Sequence, residues 1–320
     1  MAKKKKKLAL VISGGGAWGA WGGGTIQGLY ECEKKDYDIV IGTSTGSLLS
    51  PLVSLKEMDR LREAYTSVTQ KDIFNVNPFN KKGGINPFNA IWRVLIANPI
   101  SRLFKGKNKS SLGDAQNLRG TIKKFFFSED FDRIKKENKD VMAAVVNLQT
   151  RLAEHHSSHD VEYEDLVDWI WASACVPIFM NVVEKNGSEY VDGGIVEHIP
   201  IQEAINKGAT EIDVVVHRPA EYSLDVDFKA SNLLKLIVRI IDIMMREIST
   251  NDVAISKLRA LDKDITINFY YTPHKLSNNS LMFDKETMEG WWDLGYEGIK
   301  DKKCVVDSFK ITKNNNIKKL

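Results

Sequence analysis

Three short clusters hold residues that could do chemistry together. In Gly42-Thr43-Ser44-Thr45-Gly46 a serine sits between two glycines directly after an apolar run. A strand-to-helix turn this sharp forces such a serine into strained backbone geometry and exposes its hydroxyl. Glycines at Gly42 and Gly46 remove side chains that would clash there. A helix opening at that turn aims its amide dipoles at the hydroxyl and favours an oxyanion beside it. The second cluster, Gly14-Gly15-Gly16-Ala17-Trp18-Gly19, is nearly bare backbone. Its N–H groups can converge on a phosphate or on a developing negative oxygen. The third, Asp192-Gly193-Gly194, is a carboxylate followed by two glycines, Gly193 and Gly194, that allow close approach to another loop. A serine nucleophile needs a base for its proton and amides for its oxyanion, and the three clusters together supply both.

These clusters must be positioned by the elements that precede them. Leu8 to Ser13 is a fully apolar run ending in glycines, as a buried parallel strand would be, and a helix follows through Gly24 to Glu33. Tyr37 to Ile41 is a second such strand, and Pro51 should kink or shorten the helix after it. Val141 to Leu148, Glu189 to Val191 and Glu211 to His217 read as further strands, with helices over Tyr163 to Ala174 and Gln202 to Lys207. The pattern predicts an α/β fold, a three-layer α/β/α arrangement with a mostly parallel central sheet. All three clusters then fall at one sheet edge, where open α/β sheets bind ligands. The stretch from about 75 to 120, rich in Asn, Pro and Gly, reads as a helical cap insertion. Residues 1–7 read as a basic flexible tail, 8–307 as the domain, and 308–320 as a polar tail. Ser231 to Ile248 is an apolar helix with one polar stripe, Lys235, Arg239, Asp242 and Arg246, expected in the core or at a dimer contact.

Other chemistries compete for the same residues. The glycine loop also fits G-x-G-x-x-G, so a nucleotide-binding module is an alternative. A dinucleotide site wants an acid at the end of the second strand, whereas Thr43 and Ser44 stand there. A Ser–Asp–His triad could draw on His217 or His274, but neither lies in a comparably marked loop. His155, His156 and His159 form H-H-x-x-H in a polar stretch, read as a solvated surface cluster rather than a metal site.

The order and spacing of GGGAWG, GTSTG and DGG resembles the patatin-like phospholipase family, as do VVNLQT and WASACVPIFM followed by YVDGG. The resemblance spans about Lys7 to Asp213. It implies hydrolysis of lipid acyl esters through a Ser–Asp dyad, with Ser44 as nucleophile and Asp192 as general base. The glycine-loop amides, centred on Gly15 and Gly16, would then be the oxyanion donors. Neither metal nor organic cofactor is implied. Many family members carry Arg or Lys where this chain has Trp18. An acyltransferase using the same acyl-enzyme is the alternative within the resemblance.

Composition sets the surroundings. Of 320 residues 43% are apolar and 27% charged, so wholesale disorder is excluded. The net charge is +3, and without Lys3 to Lys7 it is −2, so no basic field for nucleic acid exists. Three cysteines, Cys32, Cys175 and Cys304, build no disulfide framework, and LALVI is too short for a secretory core, which points to the cytoplasm. A lipid substrate implies peripheral membrane contact, for which Lys3 to Lys7 and IWRVLIANPISRLFKGK are candidates. A homo-oligomer is compatible with the apolar helix after Ser231.

Overall fold

The computed structural model describes residues 6–80, 86, 111–221, 228–231, 233–260, 265–277, 279–302, 305–311 and 317–319. Among the described residues ten strands form one sheet: β1 (Leu8–Ile12), β2 (Ile39–Thr43), β3 (Asp140–Asn147), β4 (Leu152–Ser157), β5 (Val183–Lys185), β6 (Ser188–Asp192), β7 (Glu211–Val216), β8 (Thr266–Tyr271), β9 (Val305–Ile311) and β10 (Ile317–Lys319). Their order is β10-β9-β8-β7-β1-β2-β3-β6-β5, with β4 also on β3. The five central strands, β8, β7, β1, β2 and β3, are parallel, while both margins are antiparallel. The mostly parallel sheet of the sequence reading is therefore confined to the centre. Two of the marginal pairs, β3–β4 and β5–β6, turn back through connections too short for a crossover. One is Asn186-Gly187 between β5 and β6, both residues at positive φ as a two-residue hairpin turn requires.

Helices cover both faces. On one lie α1 (Gly19–Glu31), α2 (Thr45–Ser54), α3 (Met58–Ser67), the single turn α4 (Gln70–Ile73), α5 (Gln116–Phe125), α6 (Ser128–Lys136) and α7 (Tyr163–Ser173). The other face holds α8 (Ile201–Asn206) and the end of α9 (Leu233–Ala260), while α10 (Lys285–Lys300) packs along α1. Strand alternation divides the core: Leu10, Ile12 and Val40 point to the α1–α2 side, Ala9, Val11 and Ile41 to the α8 side. All six are fully buried. Fully burying a side chain of Val, Leu or Ile size is worth about 1.5–3 kcal/mol.

Several expectations are adjusted. Residues 308–311 and 317–319 are not a frayed tail but lie in β9 and β10, consistent with the alternation in Asp307-Ser308-Phe309-Lys310-Ile311. Of the cap stretch, 81–85 and 87–110, including the IWRVLIANPISRLFKGK segment, lie outside the described residues, as do Lys3 to Lys5. The described part contains a bridge between Val76 and Asp114 and then α5. Helix α2 continues through Pro51 and ends three residues later. Helix α9 runs twelve residues past Ile248. It turns Ile241 and Ser249 inward but leaves Leu236, Ile240, Ile243 and Met244 about 40–54% exposed, so it is only half a core helix. Among the described residues no helix is long and apolar enough to cross a membrane.

Candidate active site

Ser44 directly follows β2 and takes φ 55°, ψ −123°. A non-glycine residue held in so sparsely populated a region costs on the order of 1–3 kcal/mol, so the surroundings must fix it. They do so from three sides. The Ser44 amide donates to Ser173 Oγ at 2.9 Å, and that hydroxyl donates to the Ala144 carbonyl at 2.6 Å. The Ser44 carbonyl accepts from the amides of Ser47 and Leu48, opening α2 at Thr45. Gly42 and Gly46 permit the contact: a Cβ on Gly42 would lie 2.0 Å from the Gly46 carbonyl carbon, and one on Gly46 would lie 2.2 Å from Ile12 O. The hydroxyl sits at the N-terminus of α2, where the dipole and the free first-turn amides favour negative charge.

Asp192 reaches this point through strand register. Strand β4 occupies one edge of β3 over Met142 to Asn147. The other edge is divided: β2 pairs with Asp140 to Ala144, and β6 takes over from Val145 to Asn147. Thr43 lies opposite Ala144 and Asp192 opposite Val145, so the carboxyl ends of β2 and β6 meet on adjacent residues. Gly193 makes the junction possible, since a Cβ there would sit 2.5 Å from Ala144 O. Asp192 is 1% exposed, and burial pushes its carboxyl up to about 7, partly offset by the Ser44 hydroxyl and the Gly194 amide. Oδ1 accepts from Gly194 N at 2.8 Å. Oδ2 holds no formed hydrogen bond, although the Ser44 hydroxyl is near enough to act on the carboxyl's charge.

In the glycine loop the expected donors separate into two groups. Gly14 N donates to His198 O, Ala17 N to Ser280 O at 2.7 Å, and Gly19 N back to the Gly16 and Ala17 carbonyls. Those three amides are engaged by the fold, which narrows the candidate donors to Gly15 and Gly16. Neither of these donates to any group among the described residues. Thr45 Oγ1 donates to Gly16 O at 2.8 Å, tying the glycine loop to the start of α2. The Trp18 indole N–H donates to Ser277 Oγ at 2.9 Å.

Ser44 and Gly16 open onto a cavity between α2, α5 and α7. Beyond Ser44, Thr45, Tyr65 and Thr121 its lining side chains are apolar, Leu118, Ile170 and Phe283 among them. A serine hydroxyl, an adjacent carboxyl and unused amides thus stand together beside an apolar cavity.

Comparison with known proteins gives the family. Residues 10–205 match the patatin-like phospholipase family. The chain belongs to that family. It is also 24% identical over 216 residues to the uncharacterized protein YjjU of Escherichia coli K12, an overlap that takes in 67% of this chain and 53% of that one. The chain thus spans about half the length of the curated relative it matches. The crystal structure of VipD from Legionella pneumophila aligns with a TM-score of 0.48 at 12% identity, covering 96% of this chain and 68% of that one.

Within this patatin-like chain the histidines stay off the serine. His217 and His198 are buried behind the glycine loop, burial pushing them down to about 4 and about 3, and neither hydrogen-bonds to Ser44 or Asp192. His274 is exposed. The H-H-x-x-H run is not a solvated loop: His155 and His156 lie in β4, where their side chains leave on opposite faces. His155 pairs with Glu197 at 2.6 Å and His156 stacks on Trp169 at 3.6 Å, and no metal-type cluster occurs among the described residues. Sequence reasoning missed Ser173 and Tyr65. The first was visible only as the Ser of WASACVP. The second contacts Thr45 Oγ1 and carried no local signal.

Proposed function

We propose that this chain is a lipid acyl hydrolase of the phospholipase A or lysophospholipase type, working through a Ser44–Asp192 dyad. Asp192, poised near 7, accepts the Ser44 proton as Oγ attacks the ester carbonyl. The carbonyl oxygen takes up the negative charge and rests on the Gly15 and Gly16 amides, with the dipole of α2 behind it. Collapse breaks the ester C–O bond, and the departing alkoxide takes the proton from Asp192. The acyl-enzyme then meets water. Asp192 removes a water proton, the hydroxide adds to the carbonyl, and the tetrahedral species expels Ser44, which recovers the proton as the fatty acid leaves.

The observation that carries this reading is the opening of Ser44 into a cavity with an almost wholly apolar lining, beside a buried carboxyl. Peripheral contact with a lipid surface is part of the proposal. The exposed Leu236, Ile240, Ile243 and Met244 of α9 favour it, because they lie one turn or two apart with Lys235, Arg239 and Arg246 alongside. The test is fluorophosphonate labelling with the modified residue mapped, together with hydrolysis of a short-chain p-nitrophenyl ester. Labelling at Ser44 and loss of turnover in both Ser44→Ala and Asp192→Asn are expected. Full turnover in either variant refutes the dyad. Glycerol or coenzyme A in the assay separates a hydrolase from an acyltransferase by product, since only the latter yields a new ester or thioester.

A further inference from the structure

We infer that His217 is a positioning residue for the oxyanion donor: its Nδ1–H holds the carbonyls of Ser13 and Gly14 and so turns the Gly15 N–H to the opposite side, toward the serine. The inference rests on the hydrolase reading above and assigns a role to a residue outside the dyad and the glycine loop.

His217 follows β7, next to β1, and its ring lies directly behind the loop. Nδ1 is 2.9 Å from Ser13 O and 3.2 Å from Gly14 O. Both are carbonyls, which only accept, so Nδ1 carries the proton. Ser13 Oγ reinforces the arrangement by accepting from His217 N at 3.0 Å and donating to Gly14 O at 3.0 Å. The Gly14 carbonyl is therefore held by two donors on one side. In a trans peptide the C=O and the next N–H point in opposite directions, so fixing the Gly14 oxygen fixes the Gly15 hydrogen. That amide has no other partner among the described residues, whereas its neighbours at Gly14 and Ala17 do.

The rest of the ring confirms the tautomer. Nε2 has no hydrogen-bond partner and is fully enclosed, so a second proton there would be a buried, unpaired charge. Room for the ring is made by two glycines: a Cβ on Gly15 would lie 2.6 Å from His217 Cβ, and one on Gly22 in α1 would lie 2.0 Å from Nε2. Trp21 stands edge-on to the ring at 6.3 Å between centroids. The imidazole is thus neutral, wedged and single in orientation, as a support for a mobile backbone amide must be.

Three measurements test this on the full chain. Losing one oxyanion donor outright costs about 10²–10³ in kcat. Loosening one should cost less, so His217→Ala should lower kcat on a soluble ester by about 10–100-fold with KM within about twofold. A trifluoromethyl ketone mimic of the tetrahedral state should weaken by the same factor. Asparagine carries an N–H donor the same number of bonds from the backbone as Nδ1, so His217→Asn should recover most of kcat. Wild-type kcat in the alanine variant, or equal losses in both variants, overturns the proposal. Should His217→Ala not fold, ¹⁵N NMR of histidine-labelled wild-type protein at pH 7.5 decides. A neutral ring protonated at Nδ1 is expected, and protonation at Nε2 alone overturns it. A wild-type protein that cleaves no ester refutes the hydrolase reading instead, and the tautomer measurement then still decides the position of the Nδ1 proton.

Discussion

Replacing Asp192 by asparagine should abolish turnover and, at alkaline pH, make the protein more stable. The carboxyl has an ordinary pKa near 3.9 in an unfolded chain and about 7 in the fold, raised chiefly by burial. Between those values the folded state holds a proton that the unfolded state has released. Stability contributed by this group is therefore fully present below about pH 4 and declines as pH rises to about 7, where the folded carboxylate ionises. At roughly 1.4 kcal/mol per pKa unit, a shift of about three units amounts to about 4 kcal/mol lost by pH 8. Asparagine cannot ionise, so its advantage over aspartate should grow by about 3 kcal/mol between pH 5 and pH 8. For a chain of this size about 2 °C of Tm accompanies each kcal/mol, giving roughly 6 °C. Thermal unfolding of both proteins at pH 5 and pH 8, by calorimetry or near-UV circular dichroism, reads the difference directly. A Tm gap that is the same at both pH values, or that closes at pH 8, would refute the claim that Asp192 is held with a raised pKa.

The same carboxyl sets the rate profile. kcat/KM should rise about tenfold per pH unit below pH 7 and level off above it, and a steady-state profile without a transition between pH 6 and 8 would contradict the role of Asp192 as base. Ala64, half-buried on α3, lines the cavity; Ala64→Trp should lower kcat/KM for a decanoyl ester by about tenfold or more while an acetyl ester stays within about twofold. Unchanged chain-length preference would show that the acyl chain lies elsewhere. Ser173→Ala removes the acceptor for the Ser44 amide and leaves that buried N–H unpaired, a loss of about 1–3 kcal/mol. A Tm drop of roughly 2–6 °C together with slower fluorophosphonate labelling is expected, and labelling at the wild-type rate would mean that the serine turn stands without this support.

Local pattern sufficed for much of the site. Apolar runs marked β1, β2 and β3, the first two ending in glycine, and G-x-S-x-G predicted the strained backbone that Ser44 adopts, with Gly42 and Gly46 packed too closely for a Cβ. What local pattern could not give was which partners arrive from far along the chain. That Asp192 ends beside Thr43 follows from β2 and β6 dividing one edge of β3, a matter of topology. The glycine loop offered five amides centred on Gly15 and Gly16; the distant carbonyls of His198 and Ser280 take those of Gly14 and Ala17, and a local turn takes that of Gly19. The glycines inside α1 had no reading at all. Gly22 clears space for His217, and Gly24 lets α10 approach until a Cβ would lie 1.9 Å from Trp292 O. From the sequence the C-terminal strands read as a tail because Asn and Lys dominate their surroundings, although β9 itself alternates.

The edge shared by β2 and β6 also explains why a carboxylate could serve as base without a histidine. An imidazole base sits on a flexible stem and needs a third group to orient it and select its tautomer. Asp192 has a shorter side chain and closes a strand, so register opposite Val145 fixes its backbone and the Gly194 amide fixes one oxygen. Only Oδ2 is left for the serine. Its weakness as a base in water is what burial corrects, lifting it from the ordinary carboxylate range to about 7. Exposing the aspartate loop would therefore disable the proposed dyad even with Ser44 and Asp192 still in contact, because the base would return toward pKa 4 and lose its driving force for the serine proton.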